Sequence, residues 1–503
     1  MMAPEKLNYV TSLKQLLMGL CEVTSVIDVT GVAIDSREVE SGNLFIAYRG
    51  SIDNGIDYID EAIQRGASAI IIDELQEFNP KSIPVKYFRV TNLRKNAGHI
   101  ISRFYGCPSK NINIVGVTGT NGKTTVSYII AYANYKLKKN SAFIGTLGYG
   151  LFGQIETSKT TTPDAVTLHS LFSRWETQVD SVAMEVSSHA LDQGRVEGTE
   201  FDMAVFTNLS RDHLDYHNNI EDYINAKFSL FEKRSLKNAV INIEDSYGAM
   251  LIDRLPTSVN IFAYSNNKSN LKFYKRKNIS FVYCESIEIY ANAKSITIQS
   301  PWGAVNVRVN LLGEFNVANI LAAFTVLCVS GLSIDKVAEA LSSFTGLPGR
   351  MEVFSSQDKP LIIIDYAHTP DALKKALTSL RDYCKGQLFC IFGCGGGRDI
   401  GKRAQMGSIA ESLSDHIVLT NDNPRDEPTD KIFSDILEGI QNKANVIVKP
   451  DRSDALITTF LEANKGDIIL LAGKGHEVTQ QIGANFIPFS DRELAKRLTE
   501  VHI

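Results

Sequence analysis

Residues 115–125 read Val-Gly-Val-Thr-Gly-Thr-Asn-Gly-Lys-Thr-Thr. The start of this stretch belongs to a short apolar segment, 112–115, that predicts a buried strand, and residues 126–137 carry apolar side chains at helical spacing. A glycine-rich turn between a strand and a helix is typical of a phosphate-binding loop, in which backbone N–H groups and the helix N-terminus surround phosphate oxygens. On this interpretation Lys123 reaches the β- and γ-phosphates, and the Thr124 hydroxyl binds Mg²⁺.

The loop departs from the usual phosphate-loop pattern at one glycine. That pattern requires glycine five places before Gly122, but position 117 is valine and the glycine stands at 116. A glycine turn that merely precedes a helix is the alternative interpretation. The Gly-Lys-Thr-Thr ending and the flanking strand and helix favour the phosphate loop.

Length and composition limit the class of protein. A chain of 503 residues predicts about three domains, and 44% hydrophobic with 22% charged residues is ordinary for a soluble globular protein. The net charge of −5 provides no basic field for nucleic acid or an anionic membrane. No apolar run reaches the roughly 18 residues of a spanning helix, and residues 1–10 lack the apolar core of a signal peptide.

The cysteines favour a reducing compartment. Seven cysteines are scattered without a Cys-x-x-Cys pair, which argues against a disulfide framework or a zinc site. We therefore expect reduced thiols in a cytoplasmic protein.

Breaks in the chain divide it into three predicted domains. Residues 1–108 form a first α/β unit that ends at a Gly-Cys-Pro break. Residues 109–344 alternate strands and helices, which predicts a parallel sheet with helices on both faces, and residues 270–310 suggest an antiparallel insert. Residues 345–503 predict a second doubly wound α/β domain. Within the first unit, residues 12–20 predict a helix.

Three side chains of the second unit suggest a magnesium site. Thr124, Glu185 and His213 each fall at or just after a predicted strand end. Mg²⁺ prefers oxygen ligands, so Glu185 suits it well, whereas an isolated histidine such as His213 is more often structural than a metal ligand. Residues 222–231 predict an amphipathic helix on which Lys227 would, from the pattern alone, be a solvated lysine.

Residues 185–195 gather hydroxyl, amide and guanidinium groups just past a predicted strand end. Such groups suit an anionic substrate beside the phosphate loop. A serine–histidine nucleophile is the competing interpretation, but the Gly-x-Ser-x-Gly turn that usually accompanies it is missing from this stretch.

Residues 422–428 read Asp-Asn-Pro-Arg-Asp-Glu-Pro after another predicted strand. One interpretation is a polar turn with proline breaks. The functional interpretation is a loop at a sheet edge that presents Arg425 for bidentate recognition of a carboxylate. Residues 393–403 and 472–477 follow neighbouring predicted strands and would face the same cleft.

Taken together, these stretches resemble the Mur ligases, the ATP-dependent amino-acid-adding enzymes of peptidoglycan synthesis, over nearly the whole chain. The phosphate loop has the form typical of that family. Segments 185–189, 208–215 and 313–319 resemble its central blocks, and segments 348–352 and 365–370 resemble the ATP-contacting start of its third domain. The resemblance implies an N-terminal α/β UDP-binding domain, a central P-loop ATPase domain with a parallel sheet, and a C-terminal Rossmann-like domain.

Within the family, residues 35–37 and the loop around Arg425 resemble the MurE branch, which adds the third residue to UDP-N-acetylmuramoyl-L-alanyl-D-glutamate. Arg425 resembles the members that use meso-2,6-diaminopimelate, whereas L-lysine-adding members commonly have other residues there. Gly397 and Ala404 depart from the pattern on the amino-acid side. The implied reaction is ligation through an acyl phosphate by a monomeric cytoplasmic enzyme.

The resemblance also implies the site residues. Catalysis and Mg²⁺ binding fall to Lys123, Thr124, Glu185, His213 and Lys227. Lys227 is expected to be carbamylated (N6-carboxylysine), which turns a cation into an oxygen ligand. The residues expected to bind ATP are Gly119, Thr120, Asn121, Gly122, Lys123, Thr124, Thr125, Asn316, Arg350 and Asp365. The residues expected to hold the UDP-muramoyl-dipeptide are Ser36, Thr161, Thr162, Ser187, Gln193 and Arg195. The residues expected to bind diaminopimelate are Arg398, Asp422, Asn423, Arg425, Gly473 and Glu477.

Two rival functions remain. A folylpolyglutamate synthase shares the loop and the two-stage chemistry but lacks an N-terminal domain of this type. A non-catalytic P-loop switch or binding ATPase would turn over nucleotide without an amino-acid ligand, and the loops at 393–403 and 422–427 argue against it.

Overall fold

The computed structural model describes residues 9–50, 53–78, 84–158, 160–273, 278–290 and 293–500. It contains three successive α/β units, each built on its own sheet of mainly parallel strands. In the described part of the chain, no helix combines the length and the apolar character that crossing a membrane requires.

The first unit is a small α/β layer. Its elements are β1 Thr11–Ser12, α1 Leu13–Leu16, β2 Asp28–Val29, β3 Gly31–Ala33, β4 Asn43–Ala47, α2 Ile59–Gln64, β5 Ala69–Asp73, β6 Lys86–Val90 and α3 Leu93–Phe104. Strands β3-β4-β5-β6 form a parallel sheet in that order. Helix α1 is shorter than predicted because Gly19 adopts a φ of 79° and Arg103 binds the freed carbonyls of Leu16 and Met18.

The second unit carries the phosphate loop. Its elements are β7 Asn113–Thr118, α4 Lys123–Lys136, β8 Ser141–Gly145, β9 Gly148–Leu151, α5 Ala165–Trp175, β10 Ser181–Glu185, α6 Ser188–Asp192, β11 Met203–Phe206, α7 Ile220–Phe228, β12 Asn238–Asn242, α8 Ser246–Arg254, β13 Asn260–Ser265, β14 Ile279–Tyr290, β15 Ala293–Ser300, β16 Gly303–Val309, α9 Phe315–Val329 and α10 Ile334–Ser342.

These strands form one ten-stranded sheet in the order β16-β15-β14-β13-β12-β11-β7-β10-β8-β9. Strands β8, β10, β7, β11, β12, β13 and β14 run parallel. The antiparallel segment predicted at 270–310 is not a separate insert, because β14 pairs with β13 and β15 and β16 continue the same sheet.

The third unit is a second doubly wound layer. Its elements are β17 Glu352–Phe354, β18 Leu361–Asp365, α11 Pro370–Arg381, β19 Leu388–Phe392, α12 Gly401–Leu413, β20 His416–Leu419, α13 Thr429–Leu437, β21 Val446–Val448, α14 Arg452–Glu462, β22 Ile468–Ala472, β23 Thr479–Ile482, β24 Asn485–Pro488 and α15 Asp491–Glu500. The sheet order is β17-β18-β22-β19-β20-β21, and only its edge strand β17 runs antiparallel. Strands β23 and β24 form a separate hairpin that the sequence analysis did not predict.

Strand β7 is buried on both faces, which explains its continuous apolar character. Val115 and Val117 belong to a core with helices α4 and α9, whereas Ile114 belongs to the core on the opposite face of the sheet. A central strand with two apolar faces fixes the direction in which its C-terminal end, and therefore the phosphate loop, points.

The first two units are joined by a close backbone contact. Gly98 of α3 lies so near residue 197 that a Cβ atom at position 98 would stand 2.2 Å from the Glu197 carbonyl oxygen. Ser102 on the same helix donates to the Gly198 carbonyl at 3.1 Å. The third unit meets the second partly through charged side chains, for example Arg211 with Asp399 at 3.2 Å, and partly through Leu312 and Phe315, which pack against the core of the third unit.

We expect the substitution Gly98→Ala to separate the first two units. The added methyl group meets backbone atoms, so the cost is about 1–3 kcal/mol. Calorimetry would record this as a lower Tm, by about 2–4 °C per kcal/mol for units of this size. Lys95→Ala, at an exposed position on the same helix, is the control. An unchanged Tm for Gly98→Ala would contradict this account of the contact.

Candidate active site

The phosphate loop connects the end of β7 to the start of α4 and is fixed by the neighbouring strand β11. The Thr120 N–H donates to the Asn208 carbonyl at 2.8 Å, and the Asn121 N–H donates to the Asn208 side-chain oxygen at 3.0 Å. Lys123 folds back over the loop and donates to the carbonyls of Gly119 and Thr120 at 2.9 and 2.8 Å. The Lys123 ammonium therefore lies beside the loop in which it is expected to bind the β- and γ-phosphates.

Glu185 links the phosphate loop to the next strand end. Its side chain is 1% exposed, and it accepts hydrogen bonds from the Thr124 hydroxyl at 2.9 Å and from the Thr146 N–H at 2.7 Å. The Thr146 hydroxyl donates to the same carboxylate at 3.2 Å and lies 3.1 Å from the Thr161 hydroxyl. Hydroxyl and carboxylate oxygens thus meet beside the helix N-terminus, as a hard cation requires.

A cavity of about 620 Å³ opens between the second and third units. The site residues that line it are Thr120, Asn121, Gly122, Lys123, Thr124, Thr125, Thr161, Glu185, Ser187, His213, Lys227, Asn316, Arg350 and Asp365. Its wall therefore brings together residues that the sequence analysis assigned to ATP, to the metal and to the muramoyl substrate.

Lys227 lies in the cavity wall and is not solvated. Its side chain is 1% exposed, its ammonium donates to the Gly119 carbonyl at 2.8 Å, and it lies 4.5 Å from the Tyr223 ring centroid. Burial, aided by the charge of Lys123, lowers the pKa of Lys227 well below its usual value. The solvated lysine that the pattern alone suggested is therefore wrong.

Asp212 places a buried carboxylate between two histidines. Its Oδ2 lies 3.3 Å from His213 Nε2 and 3.8 Å from His368 Nε2. Burial lowers the pKa of His213 to about 3, although Asp212 opposes the shift. His213 is thus neutral near pH 7, the form in which an imidazole can be a metal ligand or a hydrogen-bond acceptor.

Two side chains of the third unit reach the phosphate loop. Arg350 donates to the Thr124 hydroxyl at 3.1 Å, and its guanidinium lies 4.3 Å from the Tyr366 ring centroid. Asp371, in the first turn of α11, accepts a hydrogen bond from the Asn121 amide at 3.0 Å. Burial raises the pKa of Asp365 to about 6, although Arg350 opposes the shift.

Asn316 stands at the start of α9 and lines the cavity. Its amide donates to the Leu312 carbonyl at 2.7 Å, and its oxygen accepts from Asn319 at 2.9 Å. These bonds hold the side chain in one orientation against the phosphate loop.

The residues assigned to the muramoyl substrate form two groups. The Thr162 hydroxyl donates to the Glu185 carbonyl at 2.8 Å and accepts from the Ser187 N–H at 3.1 Å. Arg195 donates to the Thr162 carbonyl at 2.9 Å and to the Gln193 side-chain oxygen at 2.8 Å. Ser36 lies apart from this group.

Ser36 belongs to the first unit and does not line the cavity. It is 5% exposed, and its hydroxyl donates to Glu61 at 2.6 Å. The backbone around it is held by Asp35, whose carboxylate accepts from the Arg37 N–H at 2.9 Å. A ligand that reached both Ser36 and the cavity would therefore have to span two units.

Arg425 lies on the loop after β20 and is half-buried. Its φ of 53° is uncommon for a residue with a side chain, and the hairpin holds it there. The Arg425 N–H donates to the Gln481 carbonyl at 3.2 Å, and its carbonyl accepts from the Gly483 N–H at 2.8 Å. One guanidinium nitrogen donates to the Gly396 carbonyl at 2.8 Å.

Asn423, Glu477 and Gly473 lie at the same edge of the third sheet. The Asn423 amide donates to Glu477 at 2.9 Å. Gly473 has a φ of 114°, and a Cβ atom there would stand 2.4 Å from the Asp422 carboxylate, so only glycine fits. Arg398 is turned toward the second unit, where it contacts Asp215 at 3.4 Å.

The sequence analysis overlooked several residues of this site. Asp212, Thr146 and Asp371 all bond to assigned residues, but their roles depend on contacts between distant segments. One signal was usable, since Thr146 directly follows β8, whose apolar residues 142–144 can be recognised in the sequence. Among the described residues, no group of three or more His, Cys, Asp and Glu side chains has the arrangement of a metal site.

Three family models match the chain in order. They are the Mur ligase family catalytic domain over residues 28–105, the Mur ligase middle domain over 117–327, and the Mur ligase glutamate ligase domain over 349–475.

Similar full-length proteins carry one name, UDP-N-acetylmuramoyl-L-alanyl-D-glutamate--2,6-diaminopimelate ligase. The protein of that name from Coxiella burnetii is 44% identical over 94% of this chain and 96% of its own length. That from Chromobacterium violaceum is 42% identical over 92% and 93%. A solved structure with the same name has a TM-score of 0.69 at 32% identity and covers 98% of this chain and 99% of its own. The three-unit α/β fold predicted from the sequence is confirmed, and the chain belongs to the Mur ligase family.

Proposed function

We propose that this chain is an ATP-dependent ligase that adds meso-2,6-diaminopimelate to UDP-N-acetylmuramoyl-L-alanyl-D-glutamate. The observation that carries the proposal is the pairing of the phosphate-loop cavity with Arg425 at a neighbouring sheet edge. The similar proteins of at least 40% identity named above support it. The reaction belongs to peptidoglycan precursor synthesis.

The reaction has two stages. The γ-carboxylate of the D-glutamyl residue attacks the γ-phosphorus of ATP, which forms an acyl phosphate and releases ADP. The amino group of the incoming amino acid then attacks the acyl carbon, phosphate leaves, and the nitrogen loses a proton. Phosphoryl transfer depends mainly on positioning and on neutralising charge, which is what the residues of this cavity provide.

Two cations and two oxygen donors serve the phosphoryl stage. Lys123 would exchange the carbonyls of Gly119 and Thr120 for phosphate oxygens, and Arg350 would approach the same oxygens from the third unit. Thr124 and Glu185 offer oxygens that fit Mg²⁺. When bound, Mg²⁺ supplies positive charge that neutralises the phosphates.

The burial of Lys227 supports its carbamylation. A neutral amine adds CO₂ and releases a proton, and burial favours the neutral form of the Lys227 amine by lowering its pKa. The carbamate adds an oxygen donor to a site that otherwise holds few carboxylates. His213, whose pKa is also lowered by burial, is the last proposed metal ligand and lies beside Asp212.

The substrate would extend from the first unit to the cavity. Ser36 would bind the uridine-nucleotide end, and the groups around Thr162 would hold the muramoyl-dipeptide. Arg425, Asn423 and Glu477 would receive the amino-acid side chain. Polar contacts between the second and third units suit a closure that excludes water from the acyl phosphate.

L-lysine is the alternative amino acid, and a folylpolyglutamate synthase-like activity is the more distant alternative. The structure of a folylpolyglutamate synthase from Mycobacterium tuberculosis superimposes on 76% of this chain and 91% of its own with a TM-score of 0.61. At 17% identity, this similarity reflects the shared fold alone. The presence of the first unit, which carries Ser36, favours the muramoyl ligase over the folylpolyglutamate synthase, because the latter enzymes lack an N-terminal domain of this type.

We expect Lys123→Ala to lower kcat by at least about 100-fold, because the lost charge acts on the transferring phosphate. Phosphate release that depends on the amino acid and the UDP-sugar substrate measures this. Lys136→Ala, at an exposed position on the same helix, should retain wild-type activity. A folded Lys123→Ala variant with near-normal turnover would remove the loop from its proposed role.

We expect Lys227→Ala to be nearly inactive and to recover part of its activity in acetate or propionate, which can replace the carbamate oxygens. Lys123→Ala is the control, because it lacks a cation and should gain nothing from a carboxylate. In the wild type, NMR with ¹³C-bicarbonate should detect a carbamate signal that Lys227→Ala lacks. Retention of that signal in the variant would exclude Lys227 as its source.

We expect the wild-type enzyme to prefer diaminopimelate to L-lysine by about 10⁴-fold or more, because lysine leaves Arg425 without its carboxylate partner. A mass spectrum of the product formed from competing amino acids measures this. Arg425→Ala should raise the KM for diaminopimelate and spare ATP binding. Arg381→Ala, an exposed arginine of the same unit, is the control. Equal ligation of lysine by the wild type would contradict this role of Arg425.

A further inference from the structure

A fully buried lysine lies directly behind the proposed amino-acid pocket. Lys474 follows β22, and its side chain is 0% exposed. Its ammonium donates to the Asn423 amide oxygen at 3.0 Å and to a Glu477 carboxylate oxygen at 2.7 Å. A buried ammonium destabilises a protein unless it is paired and hydrogen-bonded, and both of these partners belong to the proposed pocket.

These contacts determine the orientation of the Asn423 amide. Its oxygen receives hydrogen bonds from Lys474 and, at 2.9 Å, from the Gln481 N–H. An ammonium can only donate, so the atom that faces it must be the amide oxygen. The amide nitrogen is thereby turned toward Glu477, at 2.9 Å. Lys474 thus fixes a hydrogen-bond donor and a carboxylate relative to each other.

The backbone at Lys474 has little freedom. Gly475 has a φ of 54°, and a Cβ atom there would stand 2.7 Å from the Gly349 carbonyl oxygen. Gly473 on the other side packs against Asp422, as described above. The lysine is therefore held between two tightly packed glycines, and its side chain has a fixed starting point beside the loop after β20.

The hairpin of β23 and β24 also contacts the loop after β20. The Gln480 side-chain amide donates to the carbonyls of Asn421 and Asp422 at 3.3 and 2.8 Å. The next residue along β23 holds the backbone of Arg425. Residues 421–425 form no helix or regular strand of their own, so contacts with residues 474–483, together with those to Gly396 and Pro450, hold their conformation.

We propose that Lys474 and Gln480 are positioning residues that set the amino-acid specificity of this enzyme. Lys474 orients Asn423 and Glu477 toward the ammonium and carboxylate at the far end of the incoming amino acid, and Gln480 holds the loop that presents Arg425. Neither side chain touches the substrate. This inference rests on the proposed diaminopimelate-adding function.

The test uses the full-length enzyme and the variants Lys474→Met and Gln480→Met, which keep side-chain length and remove the donors. Lys233→Met is the matched control. It breaks another lysine–glutamate pair of 2.7 Å, with Glu197, far from the pocket. For each protein, kcat, the KM for diaminopimelate, the KM for ATP and the diaminopimelate-to-lysine ratio of kcat/KM are measured. Circular dichroism establishes that each variant is folded.

We expect Lys474→Met to raise the KM for diaminopimelate by about 10- to 100-fold, the range for lost hydrogen bonds to a charged group. Gln480→Met should raise it by a smaller factor of about 3 to 10, since its bonds are neutral. In both variants the specificity ratio should fall while the KM for ATP stays within about twofold of wild type. Lys233→Met should change neither.

Folded variants with a wild-type KM for diaminopimelate and an unchanged specificity ratio would overturn the proposal. Equal losses for ATP and diaminopimelate would also overturn it, because they would indicate a general structural role. If Lys474→Met does not fold, the result for Gln480→Met decides: a raised KM for diaminopimelate alone supports the proposal, and a wild-type KM overturns it. A wild-type enzyme that does not ligate diaminopimelate would instead refute the proposed function, and that is measured first.

Discussion

The buried carboxylate of Glu185 is the contact on which the site depends. It joins the start of α4, the helix that follows the phosphate loop, to the end of β8, through Thr124 and Thr146. Its own backbone carbonyl holds Thr162. Three segments that are distant in sequence therefore share one anchor, and the third unit reaches the same point through Arg350. A charged group can be buried in this way because it is fully hydrogen-bonded.

The charged side chains of the cavity favour an anionic ligand. Lys123 and Arg350 contribute cationic groups, although burial lowers the pKa of Lys123. Burial also lowers the pKa of Lys227, which favours its neutral amine. Asp212 and Glu185 supply carboxylates at its edges. An anionic ligand that entered would replace the backbone carbonyls of Gly119 and Thr120 as the hydrogen-bond partners of Lys123, whose ammonium already lies beside the loop.

The sequence was informative where structure is local and less so where it is not. The strand of Val115 and the helix that starts at Lys123 followed from apolar spacing and a glycine turn, which are properties of neighbouring residues. The burial of Lys227 could not be predicted in this way, because the pattern of its helix does not show that the Gly119 carbonyl of the phosphate loop faces the lysine. The conformation of Arg425 depends on a hairpin of polar, weakly alternating sequence that begins more than fifty residues later. The role of each depends on long-range contacts that composition and periodicity do not encode.

The approach of Gly98 to residues 197 and 198 has a consequence for ligand size. Backbone packed directly on backbone leaves no side chain that could rotate to lengthen or shorten the distance between Ser36 and the phosphate loop. This contact therefore fixes the distance between the first two units, whereas the third unit meets the second partly through ion pairs such as Arg211–Asp399, whose partners could be exchanged. A ligand that bound both Ser36 and the phosphate-loop cavity, as proposed above, would be selected by its length before any reacting group is in place.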